Sequence, residues 1–240
     1  MGGMDPDAGG GPGVAAIRER HERLLRHLRD VAAVNGHDPH RLRIVAVTKT
    51  HPLEVAAAAL EAGVTLLGES RVQEAEPKIR ALPAAEWHFV GRLQSNKARR
   101  AARAFAMIHS VESVALLRQL RELGTEEARS PRLLLQVNAT GEPTKAGMPP
   151  EDLLSAETVA AVREAGITVT GLMTIAPMGS THEEARATFR RLRELRDTLR
   201  EDAGIGLPEL SMGMSADADA AAAEGATLVR IGTALFGPRE

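Results

Sequence analysis

A complete strand–helix–strand unit is written in the stretch "LRIVAVTKTHPLEVAAAALEAGVTLLGE", residues 42–69, and this unit decides the fold class. Its first β-type run ends at Lys49, and Pro52 follows in a position that suits the start of a helix. The Ala-rich segment after Pro52 is typical of a helix, which Gly63 ends before a second β-type run. The unit therefore predicts two parallel strands joined by a crossover helix.

The same alternation continues to the end of the chain. The β-type runs, separated by Ala-, Arg- and Glu-rich helical segments, cover residues 42–49, 64–69, 87–91, 106–111, 132–138, 167–175, 207–213 and 227–232. Eight such strands in 240 residues predict an α/β fold, a (β/α)₈ TIM-type barrel. An open doubly wound sheet is the alternative that the alternation leaves open.

The two ends of the chain complete this interpretation. Apolar residues recur at helical spacing over residues 14–34, which predicts an amphipathic helix. Only eight residues follow the last run, too few for a final helix, so we expect helix 14–34 to complete the outer ring. Residues 1–13 are rich in Gly and Pro and are predicted to form a disordered tail. Residues 14–240 contain no linker and are predicted to be one domain.

The composition narrows the classes of function. The formal net charge is −2, so no global field favours nucleic acid or an anionic membrane. The chain has no cysteine, which excludes disulfide and thiolate chemistry and suits a reducing, cytoplasmic location. No apolar run approaches the roughly 20 residues of a membrane span. The N-terminus lacks a basic segment followed by an apolar one, so we expect no signal peptide.

Lysine is rare, with four residues among 30 basic ones: Lys49, Lys78, Lys97 and Lys145. A coding bias explains the excess of arginine, but arginine cannot act as a nucleophile, so each retained lysine is a candidate amine. Lys49 ends the first strand, where barrels place their reactive groups, and partial burial there favours an amine that attacks a carbonyl. The structural alternative is a lysine that raises its ammonium group into solvent.

Two loops near the end of the chain have the composition of an anion site. The stretches "LSMGMSADA" (210–218) and "VRIGTALFG" (229–237) place small residues directly after the last two strands, where barrels often bind phosphate. Ordinary turn chemistry is the alternative, and Asp217 and Asp219 count against an anion unless they point away. The candidate residues are Ser211, Gly213, Ser215, Arg230, Gly232 and Thr233.

Closure of a barrel would bring these loops next to Lys49, because its first and last strands are neighbours. An amine beside a phosphate site suits a phosphorylated aldehyde. Pyridoxal 5′-phosphate (PLP) is one candidate, and a sugar phosphate bound by a Schiff-base aldolase is the other.

The remaining polar residues give weaker signals. Glu69, His88, Asn138 and Met173 fall near strand ends, and each alone is more typical of a structural residue. The basic segment 92–105 could bind RNA or a protein, but a solvated helix face suits the chain better, so we predict no nucleic-acid partner. The histidines show no metal-ligand spacing, and we predict no metal site.

The motifs also resemble a known family, the pyridoxal-phosphate homeostasis proteins, which are single-domain relatives of the alanine racemase N-terminal barrel. The resemblance runs in order between residues 40 and 238 and includes all four lysines. The motifs that carry it are "AVTKTHP", "GESRVQEAEPKI", "WHFVGRLQSNK", "QVNATGEPTKAG", "GLMTIAP" and "LSMGMSADADAAAAEGATLVRIGTALFG".

This resemblance implies that Lys49 holds PLP as a Schiff base and that Arg230 faces the pyridine nitrogen. The family usually has Asn where this chain has Ser70, so a side-chain contact to the cofactor is expected to be shorter or lost. Residues 70–73, "SRVQ", still predict a capping box for the next helix. The resemblance assigns the phosphate to Ser211, Gly213, Met214, Ser215, Gly232 and Thr233, and the lining of the pocket to His88 and Met173.

The resemblance also bears on catalysis. An arginine beside the pyridine nitrogen keeps the ring neutral and weakens its capacity to accept electrons. Racemases with such an arginine use a second base, typically a tyrosine from another domain or subunit, and this chain has no tyrosine. We therefore expect a PLP carrier, not an enzyme, that stores the cofactor or delivers it to apo-enzymes and helps to balance amino-acid pools. A weak PLP-dependent amino-acid racemase is the alternative, and we expect a monomer.

Overall fold

The structure is a computed structural model that describes residues 12–126, 130–142, 145–164 and 168–237. In this part of the chain, eight parallel strands form one closed barrel, and β8 pairs with β1. The predicted (β/α)₈ barrel is confirmed, and the open sheet is excluded. The strands are β1 Arg43–Val47, β2 Leu66–Glu69, β3 Glu86–Phe89, β4 Met107–Val111, β5 Arg132–Gln136, β6 Thr168–Met173, β7 Glu209–Ser211 and β8 Leu228–Ile231.

Helices surround this barrel. They are α1 Val14–Val34, α2 Leu53–Glu61, α3 Val72–Ala81, α4 Ala98–Ala104, α5 Val114–Glu126, α6 Pro150–Leu153, α7 Ala156–Arg163, α8 His182–Ala203, α9 Ala218–Ala223 and α10 Thr233–Phe236. The expectation that no helix follows the last strand was wrong, because α10 forms a single turn there. The predicted tail, residues 1–13, lies outside the described residues except for its last two.

Helix α1 closes the outer ring, as predicted. It packs against α2, α9 and α10, which stand at the two ends of the strand order. Arg18 donates to the Glu61 carbonyl oxygen at 3.1 Å, and Arg20 donates to the Leu235 carbonyl oxygen at 3.0 Å. These hydrogen bonds join α1 to α2 on one side and to α10 on the other. No helix in the described ranges is long and apolar enough to cross a membrane.

The inside of the barrel is filled by side chains. Its apolar members come from five strands, and buried histidines and a buried arginine lie among the polar ones. A larger apolar layer lies between the barrel and its helices. A barrel packed in this way leaves ligand binding to its ends. The apolar residues of the interior are Val45, Met107, Leu134, Met173 and Leu228.

Candidate functional site at the barrel mouth

Lys49 lies at the mouth of the barrel, the face formed by the carboxyl-terminal ends of the strands and the loops that follow them. Strand geometry continues past β1 to Thr48, whose N–H donates to the Gly68 carbonyl oxygen at 2.9 Å. Val45 packs in the interior, and because side chains alternate along a strand, Lys49 faces the same side. Lys49 is half-buried, and its amine has no hydrogen bond or ion pair with the described residues. The amine is therefore available to a ligand.

The backbone before Lys49 is held by a buried ion pair. Lys78 of α3 donates from Nζ to the Thr48 carbonyl oxygen at 3.0 Å and to Glu69 Oε1 at 2.6 Å. The same Glu69 oxygen accepts a hydrogen bond from Thr48 Oγ1 at 2.7 Å. Lys78 and Glu69 thus have a structural role, and they fix the peptide that carries Lys49.

The residue after Lys49 is held in a strained conformation. Among the described residues, Thr50 is the only non-glycine residue with a positive φ, 67°. A β-branched side chain disfavours this region, at a cost of about 1–3 kcal/mol. Such strain is typical of functional sites, and here it adjoins the candidate amine.

The loops after β7 and β8 lie beside Lys49, as barrel closure predicted. β1 and β8 pair with Ala46 opposite Ile231, so Gly232 lies abreast of Val47, two residues before Lys49. A Cβ atom on Gly232 would lie 3.5 Å from the Val47 carbonyl oxygen. Residues 212–217 and 232–233, named here the anion loops, therefore share one edge of the mouth with the lysine.

The anion loops present backbone donors, although one of them is already used. Asp217 Oδ1 accepts from the Met214 N–H at 2.5 Å, so this N–H is committed within the loop. In the described part of the chain, the N–H groups of Ser215, Gly232 and Thr233 have no acceptor. Asp219 points away, with a carboxylate oxygen 3.0 Å from His27 on α1. Asp219 therefore does not oppose an anion at this point, whereas the carboxylate of Asp217 stays within the loop and counts against one.

Arg230 is the buried cation of the site, with 5% of its surface exposed. Its Nη1 donates to Ser211 Oγ at 2.6 Å, and its Nη2 donates to the Thr174 carbonyl oxygen at 3.0 Å. Burial lowers the pKa of Arg230 to about 10, which leaves it charged at neutral pH. Among the described residues the charge of Asp217 acts on it, but no carboxylate lies within ion-pair distance, so the buried charge favours an electron-rich ligand.

A chain of hydrogen bonds runs from Arg230 through the barrel interior. Ser211 Oγ lies 2.8 Å from His109 Nδ1, and His109 Nε2 lies 3.0 Å from His88 Nδ1. His88 Nε2 lies 2.8 Å from Glu86 Oε1, at the amino-terminal end of the barrel. We name these five residues the histidine chain. Sequence reasoning missed His109, although its place in the middle of an apolar run, "AMIHSV", was a usable signal.

Three predicted residues occupy places that differ from a simple pocket lining. His88 is fully buried, and both of its ring nitrogens already have protein partners, so its contact with a ligand stays a prediction. Met173 is buried in the apolar interior. Ser211 is fully buried, and its hydroxyl lies between Arg230 and His109 instead of facing the anion loops.

Ser70 lies at the mouth, but the capping box predicted for it was wrong. α3 begins at Val72, its N-cap residue is Arg71, and no side chain caps it. Ser70 is half-buried and borders a cavity of about 330 Å³ between the loops that follow β2 and β3. A Cβ atom on Gly91 would lie 2.1 Å from the Ser70 carbonyl oxygen, so this close approach of the two loops requires glycine.

The basic segment 92–105 contains α4, and two arginines of this helix pair with acidic residues. Arg100 Nε donates to Glu76 Oε1 at 2.8 Å, and Arg99 pairs with Glu126 at 2.8 Å. These ion pairs fit a solvated helix face. No group of three or more His, Cys, Asp or Glu residues in the described ranges could hold a metal ion.

Comparisons with known proteins show which family this chain belongs to. Residues 22–240 match the family described as "Alanine racemase, N-terminal domain". A protein of Synechocystis sp. named "Pyridoxal phosphate homeostasis protein" is 41% identical over 205 residues, which cover 84% of this chain and 93% of that protein. PipY of Synechococcus elongatus is 42% identical in its structure without PLP, with a TM-score of 0.82, and the match covers 92% of this chain and all of PipY. The structure of PipY with PLP bound is 41% identical, with a TM-score of 0.79 and the same coverage. The chain belongs to the alanine racemase N-terminal domain family and, within it, to the pyridoxal phosphate homeostasis proteins.

Proposed function

We propose that this protein binds PLP reversibly at the barrel mouth and serves to store or deliver it, without substantial turnover. When bound, the cofactor supplies an aldehyde carbon that the Lys49 amine attacks. The anion loops hold its phosphate through the N–H groups of Ser215, Gly232 and Thr233, and Gly213 and Met214 form the rest of the loop around it. Arg230 faces the pyridine nitrogen, and Met173, His88 and Ser70 line the pocket. Membership in this family favours PLP over the sugar phosphate that the sequence left open.

The observation that carries this proposal is the pairing of β1 with β8. It brings a free amine and two loops with unused N–H donors to one edge of the mouth. Arg230 adds a buried positive charge that has no carboxylate within ion-pair distance among the described residues, although the charge of Asp217 acts on it. An amine, an anion site and a buried donor match the aldehyde, the phosphate and the ring nitrogen of PLP. The PLP-bound structure of PipY, 41% identical, supports the same ligand here.

The proposed lack of substantial turnover rests on what the site does not offer. A two-base racemase needs a base on each face of the ring, and a chain without tyrosine cannot supply the usual second one. An arginine at the ring nitrogen keeps it neutral, which disfavours carbanion chemistry. Recipient apo-enzymes, a cytoplasmic location, a monomeric state and a single domain at 14–240 stay part of this proposal.

Absorbance titration with PLP tests the binding site. The wild type is expected to develop a visible band that borohydride removes, with the label found on Lys49 by mass spectrometry. Lys49→Ala should lose the band. Lys97→Ala is the matched control, because Lys97 is also half-buried and lies near the same mouth. A colourless wild type, or the same reducible label on another lysine in Lys49→Ala, would contradict the proposal.

A racemase remains the competing function, because the family is that of a racemase domain. Incubation of the PLP-loaded protein with L-alanine separates the two. Formation of D-alanine at about 1 s⁻¹ or faster, within the range of ordinary enzymes, would select the racemase. We expect no turnover at that rate.

A further inference from the structure

The histidine chain joins the candidate ligand site to the opposite end of the barrel. Its five members come from β3, β4, β7 and β8, and each is joined to the next by a contact of 2.6–3.0 Å. His88, His109 and Ser211 are fully buried, so bulk solvent supplies none of their hydrogen-bond partners. The proposed function gives Arg230 a direct role, but it does not explain the hydrogen bonds that the two histidines form.

The chemistry at each end fixes the direction of every hydrogen bond. A carboxylate only accepts, and the hydrogen bond from His88 lowers the pKa of Glu86 to about 2, with Arg132 also nearby. His88 must therefore carry its proton on Nε2 and accept on Nδ1. His109 must then donate from Nε2 to His88 and accept on Nδ1. Ser211 donates its hydroxyl proton to that nitrogen and accepts from Arg230.

All donors thus point from Arg230 towards Glu86. A protonated His109 would break this order, because its Nδ1–H would leave the Ser211 proton without its acceptor. It would also place a second cation beside the buried guanidinium. Burial is the largest effect that lowers the pKa of His109 well below 6.5, and the positive charges of Arg230 and Arg132 act in the same direction. Burial likewise lowers the pKa of His88, against the opposing effect of Glu86.

We propose that Glu86, His88 and His109 are positioning residues that orient Ser211 and the guanidinium of Arg230 for the ligand. Ser211 is then the link between Arg230 and the histidines, not a phosphate donor, because both its proton and an acceptor site are committed to them. The value of this arrangement for the ligand rests on the proposed function, whereas the arrangement itself does not.

Nitrogen NMR of the imidazoles tests the arrangement in protein without ligand. We expect His88 and His109 to be neutral Nε2–H tautomers throughout the range of about pH 5 to 8, in which an ordinary histidine titrates. An Nδ1–H tautomer at either residue, or a protonation step within this range, would overturn the inference. The result does not depend on whether PLP binds.

Two substitutions of His109 test the positioning role. Asn places its amide near Nδ1 and can still accept from Ser211, whereas Gln reaches towards His88 and leaves Ser211 without an acceptor. We expect His109→Gln to weaken PLP binding about fivefold to tenfold, the effect of one hydrogen bond, and to alter the visible spectrum of the bound cofactor. His109→Asn should stay closer to wild type in both measurements.

Ser110→Ala is the matched control. Ser110 is buried next to His109 in the sequence, and its Oγ has no hydrogen-bond partner in the described structure. Its removal should leave affinity, spectrum and tautomers unchanged. If His109→Gln binds PLP with wild-type affinity and spectrum, the positioning role is refuted while the PLP site stands. If the His109 variants fail to fold, the tautomers of the wild type still decide the inference.

Discussion

At the scale of single residues, two lysines near the mouth have opposite roles. Lys49 leaves its amine free for a ligand, whereas Lys78 donates to Glu69 and to the Thr48 carbonyl oxygen. The rarity of lysine indicated that both positions mattered, but it could not show which lysine binds a ligand and which has a structural role. A reactive amine and a buried counter-ion differ only in their neighbours, and the neighbours are set by the tertiary structure.

Removal of one partner from the buried pair should destabilise the protein. The side chains of Lys78 and Glu69 are 9% and 0% exposed. Lys78→Met leaves the carboxylate of Glu69 buried without its cation, and we expect a loss of about 3–5 kcal/mol in the free energy of unfolding. Denaturant titration measures this loss. Arg71→Met in the exposed Arg71–Glu74 pair is the control and should change little.

Glu86 should give stability a specific dependence on pH. Its pKa falls from 4.5 to about 2, chiefly through the hydrogen bond from His88, so the ionised form favours the folded state. The contribution is complete above pH 4.5 and is lost as the pH falls towards 2. The wild type should therefore be more stable than Glu86→Gln above pH 4.5, and unfolding at several pH values should show the gap narrowing below it. A gap that does not change with pH would contradict this.

At the scale of secondary-structure elements, the short loops after β7 and β8 depend on residues without side chains. Gly213 has φ of 88°, and a Cβ atom there would lie 2.4 Å from the Ala221 Cβ on α9. Backbone conformation and helix packing therefore both require glycine at this point of the anion loops.

The substitution Gly213→Ala should cost more than a positive φ alone. Gly204 at the end of α8 has φ of 65° and nothing within 4 Å of its Cβ position, so Gly204→Ala measures the backbone cost by itself. We expect Gly204→Ala to lower the free energy of unfolding by about 1 kcal/mol. Gly213→Ala should lower it by about 1–3 kcal/mol more, which is typical of overpacking. Equal losses in thermal or denaturant unfolding would show that Ala221 yields without cost.

The elements also show what sequence could predict. Alternating apolar runs located all eight strands, because a strand buried on both faces must be apolar whatever its neighbours are. The start of α3 and the existence of α10 were not predicted correctly. For α3, a cap depends on backbone angles that the capping pattern at Ser70 does not determine. Lys49 and the glycines of the anion loops follow from position along strands. The histidine chain does not, because its members are joined only when the barrel closes.

At the scale of the whole molecule, α1 secures the closure of the barrel. It contacts α2, which follows the first strand, and α9 and α10, which flank the last. Leu28 of α1 is fully buried. The first helix thus stabilises the neighbourhood of β1 and β8 on which the ligand site depends.

Truncation of a buried α1 side chain should therefore weaken the whole fold. We expect Leu28→Ala to lower the free energy of unfolding by about 2–5 kcal/mol, since it leaves a cavity between α1 and the barrel. Val34→Ala is the control on the same helix, because Val34 is 87% exposed and should contribute little. A wild-type denaturation midpoint for Leu28→Ala would show that α1 is dispensable for the fold.

The filled interior has a consequence for exchange of the ligand. Because side chains fill the centre of the barrel, a ligand has to bind at the mouth, where Ser215 and Thr233 are exposed. A ligand bound at the mouth can leave without any opening of the barrel, because no pair of strands has to separate to release it.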